Sequence, residues 1–198
     1  MRRILLAVLA LALLSVPVSG ALDSIQPMQL SDTRRTFCTA FSIDESVGMW
    51  QTAAHCVDAA EEAGWEFVVG GYEASVVFKD AEVDIAVVLS KAKAPALTLA
   101  KEAPKVGDVV VVKGFPYGLP RLITTEGKVA ARFVPIPGWG PVDILDLTVA
   151  GGNSGSPVLW NGKVVGVLVA KFVGSEHSVS VTWENVKRLT GSYYQHRQ

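Results

Sequence analysis

Residues 151–158 read "GGNSGSPV", preceded by "DILDLTVA" (143–150) and followed by "LWNGKVVGVLVA" (159–170). Both flanks are rich in Val, Leu and Ile, as strands are, so the chain has to turn between them. A plain turn needs one glycine. This one has Gly151, Gly152 and Gly155, with Ser154 held between Asn153 and Gly155. A few residues on, Asn161-Gly162 separates "VLW" from "KVVGV". Such a pair marks a two-residue hairpin, because both turn positions need positive φ.

The rest of the chain is built in the same way. From Thr36 onward, runs such as "TFCTAFSI", "WEFVVG", "ASVVFKD", "IAVVLS", "DVVVVKGF" and "HSVSVT" recur between Gly, Pro, Asp and Asn. Many short strands so spaced predict an all-β sandwich or barrel. Two segments are predicted helical. One is "HCVDAAEEAG" (55–64), closed by Gly64; the other is "WENVKRLTG" (183–191), with Thr182 as cap and Gly191 as stop. Residues 22–35 are polar and unpatterned and read as a lead-in arm. Residues 91–108, with two prolines and several lysines, read as the link between two β halves.

At 198 residues and 49% hydrophobic, the chain can bury a core in one domain or two small ones. Part of that hydrophobicity sits at the start, where "MRR" leads into "ILLAVLALALLSVPV" and then "SGA". A basic start, an apolar run and small residues predict a secretory signal peptide over residues 1–21. Cleavage is expected after Gly20 or Ala21, with Ala21 preferred because Ser19 stands two residues before it. An uncleaved anchor is the alternative, but the run is short for a span and Pro17 ends it. Cleavage takes Arg2 and Arg3 from the 18 basic residues and none of the 19 acidic ones, leaving a formal charge of about −3. That balance, without a basic block, argues against nucleic acid and against an anionic membrane surface as partners. Cys38 and Cys56 are the two cysteines. In an exported chain they point to one disulfide, two buried thiols being the alternative.

Three stretches carry chemistry together. "WQTAAHCV" (50–57) puts His55 at the end of an apolar strand, "AEVDIAVVLS" (81–90) puts Asp84 at the start of another, and "AGGNSGSPV" (150–158) presents Ser154. An imidazole acts as base toward a hydroxyl near neutral pH, and a buried carboxylate fixes its tautomer and stabilises the imidazolium. A glycine turn lets the N–H groups of Gly152 and Ser154 converge as an oxyanion hole. Each element alone reads as an ordinary loop or strand end; their joint occurrence in an exported all-β chain points to a Ser-His-Asp triad. Asp58, Asp80 and Asp108 compete with Asp84, which is favoured because "IAVVLS" roots it in the core. His55-Cys56 lacks the ligand spacing of a zinc site, no glycine loop for phosphate precedes a helix, and the chemistry requires no metal or organic cofactor.

"TAAHC" (52–56), "DIAVV" (84–88) and "GNSGSP" (152–157) resemble the three motifs of trypsin-like (chymotrypsin-fold) serine peptidases. The resemblance runs from about Thr36 to Leu189. It implies two Greek-key six-stranded β-barrels packed at an angle, with a short C-terminal α-helix. The peptidase domain would span residues 36–198, with 36–95 as first barrel, 105–182 as second and 183–191 as helix. His55 and Asp84 would come from the first barrel, Ser154 from the second, and a polypeptide substrate would lie between. The spacing, with "GFPYGLPRLITTEGKV" (114–129) between Asp84 and Ser154, is similar to compact bacterial Deg/HtrA-type enzymes, with no appended peptide-binding domain expected here. "GGNSGSPV" is also similar to bacterial glutamyl endopeptidases. Cys38 and Cys56 match the pair that closes the histidine loop in animal trypsins.

Departures from the family matter too. Animal trypsins carry Asp before the nucleophile, to pair with a new N-terminal amine. This chain has Asn153, so signal removal alone is expected to yield active enzyme. The resemblance places the substrate pocket at Thr148 (floor), Val149 and Ala150 (wall), facing Leu168, Val169 and Ala170. Thr148 is no Asp and Leu168 no His, so neither Lys/Arg nor Glu preference is expected; small or aliphatic side chains suit an uncharged pocket. The sequence thus reads as a secreted or periplasmic serine endopeptidase. A catalytically silent β-barrel binding or adhesion protein on the same scaffold, and an esterase with the same triad, are the alternatives.

Overall fold

The order of strands explains how twelve short runs leave no open edge. The structure, a computed structural model, describes residues 22–197. The expected signal peptide and its cleavage site lie outside these residues. The first six strands are β1 (Ile25–Leu30), β2 (Thr36–Asp44), β3 (Met49–Thr52), β4 (Phe67–Val69), β5 (Tyr72–Asp80) and β6 (Ile85–Ser90). They close as β1-β2-β3-β6-β5-β4, with β4 pairing back on β1. The second six are β7 (Val109–Gly114), β8 (Ile123–Val134), β9 (Val142–Asp146), β10 (Pro157–Trp160), β11 (Lys163–Lys171) and β12 (His177–Val181). They close with the corresponding order, β7-β8-β9-β12-β11-β10. Two closed antiparallel six-stranded barrels make the chain chymotrypsin-like, and closure removes the sheet edges that would otherwise invite pairing.

β1 lies inside the segment that the sequence marks as a lead-in arm. It pairs with β2 from Ile25↔Phe41 to Gln29↔Thr36 and with β4 through Met28↔Val69. The register slips between Met28 and Gln29, so Ile25, Met28 and Leu30 are buried at uneven spacing. A bulge breaks the period-2 signature that would have revealed the strand.

The expected hairpin is present. Asn161 and Gly162 have φ of 50° and 74° and join β10 to β11 at Trp160↔Lys163. Residues 91–108 contain no strand; they strap onto both barrels, as Leu97 N–H donates to Ser42 C=O and Ala100 N–H to Val164 C=O. One core cluster runs across the barrel contact, joining Phe41, Trp50 and Val87 to Val164, Val167 and Val181. A second fills the interior of the second barrel around Val110, Val129, Leu145 and Leu168.

Helix α1 (Ala54–Glu62) follows β3 and α2 (Trp183–Thr190) follows β12. The Thr182 hydroxyl caps α2 by accepting from Asn185 N–H at 3.2 Å. Gly191, expected as the stop, has right-handed φ and ψ of −55° and −34°, so the chain runs on into a 3₁₀ turn from Gly191 to Arg197. Tyr193 there packs on Phe78, and the Tyr194 hydroxyl donates to Gln51 Oε1. These contacts tie the C-terminal segment back to the first barrel.

Candidate active site

His55, which the sequence puts at the end of an apolar approach and at the start of a helical segment, is the second residue of α1; β3 stops at Thr52. The first turn of a helix leaves N–H groups without intrahelical acceptors. Ala53, the residue before α1, offers no side-chain cap. Asp84 supplies the missing acceptor from β6's approach: its Oδ1 takes the His55 N–H at 2.8 Å. Its Oδ2 lies 2.7 Å from His55 Nδ1. One carboxylate therefore holds both the backbone and the ring of His55, leaving Nε2 as the ring nitrogen not bound to Asp84. The His55 side chain is 45% exposed and that of Asp84 8%, so the imidazole is reachable while its partner is not.

Asp84 is held in an unusual backbone state. Its φ is 62°, a left-handed value that Asp tolerates better than bulky residues do. It ends the tight turn between β5 and β6, in which Asp80 Oδ1 accepts from Val83 N–H at 3.0 Å. The competing acids are engaged elsewhere. Asp58 pairs with Lys79 at 2.7 Å, Asp80 caps its own turn, and Asp108 Oδ2 accepts from Lys105 N–H at 2.8 Å. Lys79, between Asp58 and Glu61, has its pKa raised by the hydrogen bonds to both carboxylates.

The glycine turn of the second barrel is pressed against the same place. Ser154 C=O accepts from Thr39 N–H at 2.8 Å. Thr39 follows Cys38, which is bridged to Cys56, the residue after His55. Cys56 Sγ in turn lies 3.7 Å from His55 Nε2. Among the described residues no hydrogen bond joins the Ser154 hydroxyl to His55; such bonds are commonly loose before substrate binds. The N–H groups of Gly152 and Ser154 carry no hydrogen bond among the described residues, whereas Asn153 N–H donates to Ala150 C=O and Gly155 N–H to Leu168 C=O. Two backbone donors are left beside the serine.

Two of these glycines have no substitute. Gly152 has φ of 96° and Gly155 of 83°. A Cβ on Gly152 would be driven into Phe115 C=O, and one on Gly155 into Thr39 C=O and the Thr52 hydroxyl, with Ala53 N at 3.1 Å. Gly151 has open space around it. Gly155→Ala is therefore expected to destabilise the fold by about 2–6 kcal/mol, and Gly151→Ala by less than about 1 kcal/mol. Denaturant midpoints of the two variants measure the contrast.

A cavity of about 220 Å³ opens next to Ser154, lined by Val149, Ala150, Gly151, Leu168, Ala170 and Lys171 as well as the serine. Thr148 and Val169, expected in it, are elsewhere. Thr148 is exposed and its hydroxyl donates to Glu176. Val169 is packed into the core cluster that spans the barrels. His177, a further histidine, is exposed and its Nδ1 sits 2.8 Å from the Ser175 hydroxyl. Sequence reasoning also passed over Thr39, whose bonds to the turn span more than a hundred residues and leave no local signal.

The family model described as a trypsin-like peptidase domain matches residues 38–167, which takes in His55, Asp84 and Ser154. The chain belongs to that family. As a trypsin-like peptidase it is a serine-type endopeptidase. No curated protein sequence matches the chain closely enough to be counted a relative. Among solved structures, it is similar to the active form of the Rv3671c protease from M. tuberculosis. The two are 25% identical over 90% of this chain and 83% of that one, with a TM-score of 0.71. The serine endoprotease from Yersinia pestis is 21% identical over 89% of this chain and 64% of that one, at a TM-score of 0.72. The HtrA-type protease AlgW with a tripeptide is 23% identical over 91% and 63%, also at 0.72. The last two share the fold, and the trypsin-like peptidase chain spans less than two thirds of each. Among its described residues, no helix is long and apolar enough to cross a membrane.

Proposed function

We propose that this peptidase is exported and cleaves polypeptides through Ser154 as nucleophile, His55 as general base and acid, and Asp84 as the group that orients His55. The observation that carries the reading is the pair of bonds from one buried carboxylate to the His55 backbone and ring. A base fixed in the tautomer that leaves Nε2 free to accept a proton is what a serine hydroxyl needs. His55 takes the Ser154 proton as the oxygen attacks the scissile carbonyl. It then gives the proton to the leaving amine, and afterwards activates the water that hydrolyses the acyl-enzyme. The unbonded Gly152 and Ser154 amides receive the negative oxygen; one such donor is typically worth about 3–4 kcal/mol.

Export is supported by the order of residues 1–21 and by the disulfide between Cys38 and Cys56, a bond that persists in oxidising compartments. Asn153, buried and without the carboxylate that would pair with an N-terminal amine, favours activity without a further activation cut.

The cavity walls formed by Val149, Ala150, Leu168 and Ala170 favour small or medium aliphatic side chains before the cleaved bond. Each methylene discriminates by only about 1–3 kcal/mol, so the preference is loose. Digestion of a peptide library, read by mass spectrometry, is expected to show cleavage mainly after Ala, Val and Leu, and none with the Ser154→Ala chain. Dominant cleavage after Lys or Arg overturns the pocket assignment. Dominant cleavage after Glu transfers the selectivity to Lys171, the one charged residue of the lining.

A further inference from the structure

Thr39 lies on β2 of the first barrel and is fully buried, yet its polar groups reach the glycine turn of the second. Its N–H donates to Ser154 C=O at 2.8 Å. Its hydroxyl donates to Gly152 C=O at 2.8 Å and accepts from Phe115 N–H at 3.2 Å. Its C=O accepts from the Thr52 hydroxyl at 2.8 Å. A threonine hydroxyl has one proton and free lone pairs, so the first two side-chain bonds are made at once.

The direction of the two amides beside Ser154 follows from where the carbonyls of their peptides are anchored. In a trans peptide the C=O and the next N–H point opposite ways. Gly151 C=O accepts from Tyr117 N–H at 2.6 Å, and Asn153 C=O accepts from Ser156 N–H at 2.9 Å. The Gly152 N–H is thereby turned away from Tyr117, and the Ser154 N–H away from Ser156. Between them lies the Gly152–Asn153 peptide, whose carbonyl is held by the Thr39 hydroxyl. Consecutive glycines at 151 and 152 give this part of the turn the most backbone freedom in the site. The same hydroxyl anchors Phe115, two residues before Tyr117, and so joins the loop after β7 to the turn.

We infer that Thr39 is a positioning residue for transition-state stabilisation: its hydroxyl, supplied by the first barrel, locks Gly152 so that its N–H stays aimed at the oxyanion. This rests on the proposed roles of Gly152 and Ser154. Thr39 touches no reacting atom; it acts through the turn.

Thr39→Val replaces the hydroxyl by a methyl of similar size and keeps the backbone bond to Ser154. With activity normalised to titrated active sites, kcat is expected to fall about 10- to 100-fold while KM for the same peptide moves less than about threefold. Affinity for a peptide boronate, whose adduct is tetrahedral, is expected to fall by the same factor as kcat/KM, and Thr39→Ser is expected to restore kcat to within about threefold. A merely structural threonine lowers the melting temperature and leaves the kcat of the folded fraction unchanged; that outcome overturns the inference, as does a serine variant as slow as the valine one. Should the valine chain not fold, Thr39→Ala is judged by the same two numbers. Ser154→Ala separates the two levels. If hydrolysis survives it near the wild-type rate, the triad reading itself falls. If hydrolysis is lost there but Thr39→Val keeps wild-type kcat, only this inference falls.

Discussion

Replacing Ser154 with alanine is expected to lower kcat about a millionfold, the loss seen when the nucleophile of such a triad is removed. The change deletes one oxygen and touches no element of the fold. The Ser154 backbone bond to Thr39 N–H, the Asn153–Ser156 bond across the turn and the Cys38–Cys56 bridge involve no Ser154 side-chain atom. The cavity walls of Val149, Ala150, Leu168 and Ala170 also stay as they are. The variant is therefore expected to melt within a few degrees of the wild type and to bind peptide substrate with similar affinity. The burst of product that marks acyl-enzyme formation with an activated ester should vanish. A residual rate above that of water, about 10³- to 10⁴-fold, is expected from binding and from the Gly152 and Ser154 amides. Hydrolysis at the wild-type rate sinks the assignment, because no second hydroxyl stands at that turn in an exposed position: Ser156 is fully buried.

How much of this was legible from residues alone depended on the range of the interaction. The Asn161-Gly162 hairpin and the Thr182 cap were readable because each is decided within four residues. The all-β class was readable from strand composition, but not the closing strand β1. Pro27, two glutamines and the bulge at Met28/Gln29 hide its alternation, and only pairing with β2 and β4 makes it a strand. His55 is marked both by the strand-like run that leads up to it and by the helical run that begins with it, and it falls in the helix; what residues alone do not show is that a distant Asp84 accepts from its N–H in the first turn. The pocket was inferred by resemblance, and two of its six residues lie elsewhere. Thr148 turns to Glu176 and Val169 packs into the inter-barrel core, choices set by tertiary neighbours. Thr39 is the extreme case: it is an ordinary strand threonine until the second barrel is folded against it.

Asp84→Asn is expected to lower kcat about 10⁴-fold, the effect known for turning a triad histidine into the wrong tautomer. The geometry says why an isosteric change is so costly here. The carboxylate offers two acceptors and both are used, Oδ1 by the His55 N–H and Oδ2 by the ring at Nδ1. A carboxamide offers one. If its oxygen stays on the backbone N–H, the NH₂ faces Nδ1, which must then accept; the ring proton moves to Nε2, where the serine proton has to go. If the amide flips, the ring keeps its tautomer but the NH₂ meets the His55 N–H, two donors face to face at the start of α1. In the first arrangement both bonds persist without the carboxylate's charge and the tautomer is wrong; in the second the bond to the His55 N–H is lost, about 1.5–3 kcal/mol. The backbone itself accepts the change, since asparagine tolerates the left-handed φ of 62° at this position at least as well as aspartate. The expected signature is thus a large fall in kcat with a small fall in melting temperature and a KM close to wild type. An Asp84→Asn enzyme of full activity means that His55 is oriented by another group, and the role given to this carboxylate must be withdrawn.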